Sequence, residues 1–96
     1  MPDYQLYRVE QLLGALTRTD GDFPWQYGTF APTETFEAVR PLFERLLQFL
    51  KADRLNQWEE EWQGVVSSGI RLEQVGNGPI DKFVLQLIGP VASWRF

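Results

Sequence analysis

The central stretch of the chain decides its fold: 33-TETFEAVRPLFERLLQFLKADRLNQWEEEWQGVVSSG-69. Two segments of this stretch repeat apolar residues at the three- to four-residue spacing of an amphipathic helix. The first segment contributes Phe36, Val39, Phe43, Leu46, Leu47 and Leu50, and the second contributes Leu55, Trp58, Trp62, Val65 and Val66. Only Ala52 and Asp53 remain between the segments, so the pattern predicts two antiparallel helices in contact.

The ends of both helices carry recognisable signals. Thr33 is the predicted N-cap of the first helix and Asp53 that of the second, because short polar side chains satisfy free N–H groups there. Gly69 is the predicted C-terminal stop of the second helix. Pro41 removes one hydrogen bond from the first helix, but on its polar face, where water can replace the bond. The sequence therefore predicts a bend at Pro41 and not a break.

Extended runs flank the helices on both sides. Residues 12–19 and 25–30 read as strands joined at Asp20-Gly21-Asp22, since an Asp-Gly pair between β-prone runs is a hairpin signal. Residues 4–11 fit either a strand or a helical turn, and we interpret them as a strand that continues through Gly14 as a bulge. After the helices, residues 70–73, 83–87 and 92–96 alternate as strands do, with turns at 76–78 and 89–90.

These elements predict the fold class. The chain has 96 residues, of which 44% are hydrophobic and 23% are charged, as in an ordinary globular domain. We expect a single α+β domain over residues 1–96. Its predicted antiparallel sheet has four to five strands, in the chain order ββ-αα-βββ, and both helices pack on one face of it.

The chain contains no histidine and no cysteine, and this absence argues against metal and nucleophilic catalysis. The densest charge cluster is Glu59-Glu60-Glu61, but successive helical residues point about 100° apart and cannot converge on one atom. Asp20 and Asp22 lack the further acidic ligands that a calcium loop needs. No phosphate-binding loop, dinucleotide fingerprint or Gly-x-Ser-x-Gly motif occurs. We therefore expect no catalytic residue, no metal site and no cofactor.

Charge argues against some partners as well. The net charge is −4, which makes binding to nucleic acid or to anionic membranes unfavourable. Residues 33–66 hold seven acidic side chains against four basic ones, so the helices form the acidic side. The start of the chain, Met1-Pro2-Asp3-Tyr4, lacks the pattern of a secretion signal, and no run is long enough to span a membrane. With no disulfides possible, we expect a cytoplasmic location.

The segment 23-FPWQY-27 is the most informative for function. Strand alternation places Trp25 and Tyr27 on one face, and Gln26 and Phe30 on the other. If the Phe30 face meets the helices, Trp25 and Tyr27 stand on the open face, where such a pair is a typical anchor for a partner. The predicted partner-binding residues are Phe23, Trp25, Tyr27, Arg71 and Arg95. In the alternative, Trp25 and Tyr27 belong to the core or lie beneath the N-terminal strand.

Several short segments carry a family resemblance. They are Asp22-Phe23-Pro24-Trp25, Phe30-Ala31-Pro32-Thr33 with Phe36, Arg40-Pro41-Leu42-Phe43, Phe83-Val84-Leu85 and Trp94-Arg95-Phe96. Together they resemble small bacterial proteins of unassigned function. The resemblance implies a compact α+β domain and implies no activity.

Three hypotheses of function follow. In the first, the domain is non-catalytic and binds a protein, or a second copy of itself, through the open sheet face or an edge strand. In the second, it is a small enzyme or ligand-binding domain that uses Glu59 or Glu61 with Asp81 or Glu73. In the third, it binds single-stranded nucleic acid weakly on an open face made basic by Arg71, Lys82 and Arg95.

Overall fold

The computed structural model describes residues 2–22 and 24–96, which form one large sheet, two α-helices and a short 3-10 helix. The strands are β1 (Tyr4–Arg8), β2 (Gln11–Asp22), β3 (Trp25–Pro32), β4 (Ile70–Gln74), β5 (Gly78–Pro79), β6 (Val84–Ile88) and β7 (Val91–Arg95). The 3-10 helix is Glu34–Ala38, and the α-helices are α1 (Arg40–Lys51) and α2 (Leu55–Ser67).

The sheet has seven strands in the order β5-β4-β1-β2-β3-β7-β6, and every neighbouring pair is antiparallel. It curls into a half-barrel around the two helices. The fold is α+β, as expected, but the predicted sheet of four to five strands in the order ββ-αα-βββ is wrong. The described residues contain three strands before the helices and four after them.

The extra strands come from a turn at Val9 that the sequence hides and from a short bridge that follows the predicted turn at 76–78. Val9 adopts a left-handed backbone with φ of 56°, and its N–H donates to the carbonyl of Gly69 at 2.9 Å. This turn separates β1 from β2, whereas we expected one strand running through Gly14. A β-branched residue rarely adopts positive φ, so nothing at Val9 signals a turn. The other addition, β5, is a two-residue bridge to β4 that follows the turn at Gly76.

Pro41 divides the predicted first helix instead of bending it. The residues before Val39 form the 3-10 helix, and α1 begins at Arg40 with the proline in its first turn. Proline is well tolerated there, because the N–H groups of a helix's first turn have no partner inside the helix. The proline therefore lies in the first turn of α1, where its missing N–H removes no hydrogen bond from the helix.

Neither predicted cap forms a side-chain cap. The hydroxyl of Thr33 donates to the carbonyl of Leu12 at 2.6 Å and so fastens the 3-10 helix to β2. Asp53 has a φ of 56° and lies in the turn between the helices, while Arg54 takes the N-cap position of α2. Leu55, expected on the buried face of α2, is 59% exposed, since it starts the helix beside this turn.

The core lies between the inner face of the sheet and the helices. Leu6, Leu16, Leu72, Leu85 and Trp94 have at most 1% of their surface exposed, and they come from five different strands. Both helices pack on this one face, as predicted, with α1 beside β6 and α2 beside β4. Burial of this apolar surface is the main stabilising contribution in a chain without disulfides.

Tryptophans and neighbouring aromatics interlock inside the core. The ring of Trp94 meets Tyr4 edge-on at a centroid distance of 5.5 Å. Trp58 and Trp62 stack nearly parallel at 6.0 Å, and Trp62 meets Phe83 edge-on at 5.5 Å. These contacts explain three of the four tryptophans as packing residues. No helix among the described residues is long and apolar enough to cross a membrane.

Candidate functional site

The outer face of the sheet, which the helices leave uncovered, carries Trp25 and Tyr27. Phe30 of the same strand is 4% exposed in the core, and Gln26 pairs with the inward-facing Trp94. Alternation along β3 therefore turns Trp25 and Tyr27 away from the helices. Tyr27 is 38% exposed and Trp25 is half-buried. The alternative in which both belong to the core does not describe this structure.

Charged side chains surround Trp25 at one end of the outer face. The guanidinium of Arg95 lies 5.5 Å from the centre of the Trp25 ring, a cation–π contact. Asp22 pairs with Trp25 across the strands, and Asp20 pairs with Tyr27. Both signs of charge thus meet here, so this end of the face is not basic. The structure brings Trp25, Tyr27 and Arg95 together, as the hypothesis of a partner-binding surface requires.

The middle of the outer face has no charge. One row across the sheet consists of Thr17, Thr29, Val91 and Ile88, which the strand registers place side by side. The next row contains Asp20, Tyr27, Ser93 and Gln86, so its only charge is the carboxylate at its β2 end. Val91 is 54% exposed and Ile88 is 51% exposed. A sheet face open to water usually carries polar and charged residues, so the uncharged row from Thr17 on β2 across to Ile88 on β6 is the unusual feature.

The two remaining predicted residues stand apart. Arg71 lies on β4, separated from β3 by two strands, or about 14 Å at the usual strand spacing. Its guanidinium stacks on Tyr7 at 4.5 Å, pairs with Glu73 at 2.7 Å and donates to the carbonyl of Val9. Arg71 thus secures the β1 turn and is not part of the Trp25 end. Phe23 lies outside the described residues.

Ile88 and Val91 are surface residues that the sequence reasoning missed. Ile88 is the last residue of β6 and Val91 is the first residue of β7. They pair with each other on either side of the Gly89-Pro90 turn. The signal was present in the alternation of residues 92–96, because Val91 shares its parity with Ser93 and Arg95. Extending that alternation by one step would have added Val91 to the open face.

Both edges of the sheet carry features that disfavour pairing with a further strand. At one edge β5 is only two residues long and includes Pro79, which cannot donate to a further strand. The other edge is β6. Because backbone hydrogen-bonding direction alternates along an antiparallel strand, the N–H and C=O groups of Leu85 and Leu87 point away from β7. Yet Leu85 is 1% and Leu87 8% exposed, and Leu47 and Leu50 of α1 line the same narrow gap. Helix α1 therefore covers the β6 edge.

Two concavities flank the C-terminal strand. The larger, which we call the α2 cleft, has a volume of about 670 Å³ and lies between α2 and the ends of β6 and β7. Its lining residues are Trp58, Glu59, Trp62, Gln63, Val66, Asp81, Lys82, Phe83, Val84, Arg95 and Phe96. The smaller, of about 560 Å³, lies beside Trp25 and Phe96.

The carboxylates of the enzyme hypothesis divide into two pairs. Glu61 lies 3.5 Å from Arg45, and Glu73 lies 2.7 Å from Arg71, so both are held in ion pairs, and neither lines the α2 cleft. Glu59 and Asp81 both line the α2 cleft. Among residues 2–22 and 24–96, no group of three or more acidic side chains is placed to hold a metal ion.

Comparison with known proteins adds no further constraint. The chain matches no protein-family model, no curated protein and no solved structure.

Proposed function

We propose that this chain is a non-catalytic binding domain that uses the outer sheet face, and that its partner is a second copy of the same chain. The observation that carries the proposal is the uncharged row Thr17, Thr29, Val91 and Ile88, beside the exposed Tyr27. Exposed apolar patches of this kind mark interaction sites on many soluble domains.

The distribution of charge favours a second copy. Residues 33–66, which include both α-helices, hold seven acidic and four basic side chains, and these helices lie on the opposite side of the sheet from the outer face. When two copies meet through their outer faces, their acidic sides point away from each other, so repulsion between the two negatively charged chains is smallest. The uncharged centre adds no like-charge contact.

The size of the face sets the strength of this association. Four strands about 4.8 Å apart, with five residues at about 3.3 Å each, cover about 300 Å² in projection. A stable interface needs about 800 Å² per partner. The dimer should therefore be weak, with a dissociation constant of about micromolar or higher.

The proposal is tested by sedimentation equilibrium of the full chain over a range of concentrations. The wild type should show a reversible monomer–dimer equilibrium. Ile88→Lys and Val91→Lys should shift the equilibrium to monomer at every concentration, because each places an unpaired ammonium in the contact. Both residues are more than half exposed, so each variant should keep its fold.

A matched control is available on α2. Leu55 is 59% exposed and lies away from the sheet, so Leu55→Lys should leave the equilibrium unchanged. A wild type that is monomeric throughout would contradict the proposal. So would equal effects of Leu55→Lys and Val91→Lys.

We propose, further, that the domain acts in the cytoplasm. The absence of cysteine supports this location, because a chain of this size in an oxidising compartment commonly carries disulfides. The test is fractionation of cells that express the full-length protein. Recovery in a membrane or secreted fraction would contradict it.

A further inference from the structure

The tip of the β4–β5 hairpin is exposed and holds an asparagine between two glycines. Its sequence is Val75-Gly76-Asn77-Gly78. Gly76 and Gly78 have φ of 86° and 88°, a backbone conformation that favours glycine, and Asn77 is exposed. Within residues 2–22 and 24–96, the side-chain amide of Asn77 forms no hydrogen bond. Nothing of that kind therefore holds this amide away from the neighbouring backbone.

Gly78 supplies the nucleophile for a reaction of that amide. A Cβ built at Gly78 would meet no atom within 4 Å, so the space beside its backbone is open. Because glycine has no side chain, the nitrogen of Gly78 can approach the side-chain carbonyl carbon of Asn77 without obstruction. The reacting groups belong to adjacent residues, so the attack closes a succinimide ring and needs no second molecule.

We propose that Asn77 is a site of spontaneous deamidation, and that one product releases β5 from β4. The nitrogen of Gly78 forms a bond to Cγ of Asn77, and the side-chain nitrogen leaves as ammonia with the proton that Gly78 gives up. Water then opens the succinimide. Cleavage at Cγ gives aspartate, whereas cleavage at the main-chain carbonyl carbon gives isoaspartate, in which the backbone runs through Cβ. Either product carries a carboxylate that Asn77 lacks.

Isoaspartate affects this hairpin because its backbone is longer. Strand β5 consists only of Gly78 and Pro79, which pair with β4. The next residue, Ile80, donates its N–H to the carbonyl of Leu72 on β4 at 2.8 Å. An added methylene in the main chain at residue 77 shifts these residues out of register with β4. Strand β4 then loses its cover and becomes an open edge.

The first test follows the full chain at neutral pH by peptide mass spectrometry. Asn56, followed by Gln57 on α2, is an internal control, and trypsin places the two asparagines in the separate peptides 55–71 and 72–82. Asn77 should deamidate at least about tenfold faster than Asn56, because the side chain of Gln57 obstructs the same attack. The rate at Asn77 should rise from about pH 6 to about pH 8, since the attacking nitrogen must lose its proton.

Two variants separate the new charge from the longer backbone. Asn77→Gln should stay unmodified, because glutamine would have to close a larger ring. Asn77→Asp carries the charge on an unaltered backbone, so its Ile80 amide should exchange with deuterium as slowly as in the fresh wild type. In the isoaspartate form, isolated by chromatography, that amide should exchange at least about tenfold faster. Asn77 is exposed, so both variants should fold.

Two results would overturn the modification site: equal rates at Asn77 and Asn56, or a native chain that stays unmodified while the chain unfolded in urea is modified at Asn77. Unchanged exchange of the Ile80 amide in the isoaspartate form would overturn the release of β5. These outcomes are independent of the dimer test, because β5 and β4 lie at the opposite edge of the sheet from β7 and β6.

Discussion

At the scale of single residues, Gly28 shows how closely β2 and β3 approach each other. It lies in β3 opposite Arg18, where the register between the two strands shifts. A Cβ built at Gly28 would overlap the backbone carbonyl of Thr17. Backbone cannot yield as a flexible side chain can, so the position admits glycine alone.

We expect Gly28→Ala to lower the free energy of unfolding by about 1 to 3 kcal/mol, because the added methyl group overpacks the strand pair. Gly64→Ala is the opposite case, since a Cβ at Gly64 on α2 meets no atom within 4 Å. This second substitution should raise the free energy of unfolding by about 0.5 to 1 kcal/mol, through better helix propensity. Urea denaturation measures both, and equal signs would contradict the account.

An ion pair at the junction of the 3-10 helix and α1 makes stability depend on pH. Arg40 donates from Nη2 to a carboxylate oxygen of Glu37 at 2.7 Å, and from Nε to both oxygens at 3.1 Å. These hydrogen bonds lower the pKa of Glu37 and raise that of Arg40. Because the pKa of Glu37 is lower in the folded state, its stabilisation is complete above the unfolded pKa and is lost as pH falls through the folded pKa.

Glu37→Gln should therefore be slightly less stable than the wild type at about pH 7, and the difference should shrink towards about pH 3 as Glu37 becomes protonated. The effect is small, since both side chains are exposed. Urea midpoints across this pH range provide the measurement, with Glu34→Gln on the same 3-10 helix as the control. A difference that grows on acidification would show that the pair does not act as described.

At the scale of elements, α1 protects the sheet as well as its core. Five-residue β6 carries no charged residue, which leaves it without the side chains that commonly guard an edge strand. Leu47 and Leu50 of α1 close the gap above Leu85 and Leu87 instead. The helix thus replaces the charges or prolines that would otherwise block pairing with another chain.

Leu50→Lys should uncover the β6 edge. We expect a loss of about 1 to 2 kcal/mol in the free energy of unfolding from the lost apolar burial, together with aggregation that stains with thioflavin T on warming. Gln48→Lys, on the exposed flank of α1, is the control. If the two variants aggregate alike, α1 does not guard this edge.

Elements whose apolar residues repeat at a regular spacing could be predicted from the sequence. Elements bounded by turns with an unusual backbone conformation could not. Helix α2 and the hairpin at Gly89-Pro90 carry ordinary signals and lie where expected, but β2 continues through Asp20 and Gly21 to Asp22, so the turn predicted at residues 20–22 is wrong. The turn at Val9 depends on its contact with Gly69, a residue distant in sequence, so local propensity contains no trace of it. Pro41 was expected to bend a helix that begins after Thr33, but it lies in the first turn of α1, so that prediction is wrong.

The candidate surface was predictable in part for the same reason. The alternation of side chains along β3 placed Trp25 and Tyr27 on the same face of the sheet. It did not show whether that face is the inner or the outer one. That choice depends on Gln26 pairing with Trp94, a contact between strands far apart in the chain. The ion pair that removes Arg71 from the surface, and the helix that closes the β6 edge, are likewise tertiary contacts.

At the scale of the whole molecule, the half-barrel has two sides of different chemistry. The helical side is acidic and contains the α2 cleft, while the outer face is uncharged at its centre and carries Tyr27, Ile88 and Val91. This division allows the domain to associate through one side while the other remains accessible to solvent.

If the outer face is the contact surface between two copies, NMR of the chain at decreasing concentration detects the loss of that contact. Amide shifts of the isotope-labelled chain are recorded from about 1 mM down to about 0.02 mM, a range suited to an association of about micromolar strength or weaker. The account predicts concentration-dependent shifts at Thr29, Ile88 and Val91 and their neighbours on the outer strands, with α1 and α2 unaffected. Shifts confined to the helices, or none at any residue, would contradict it.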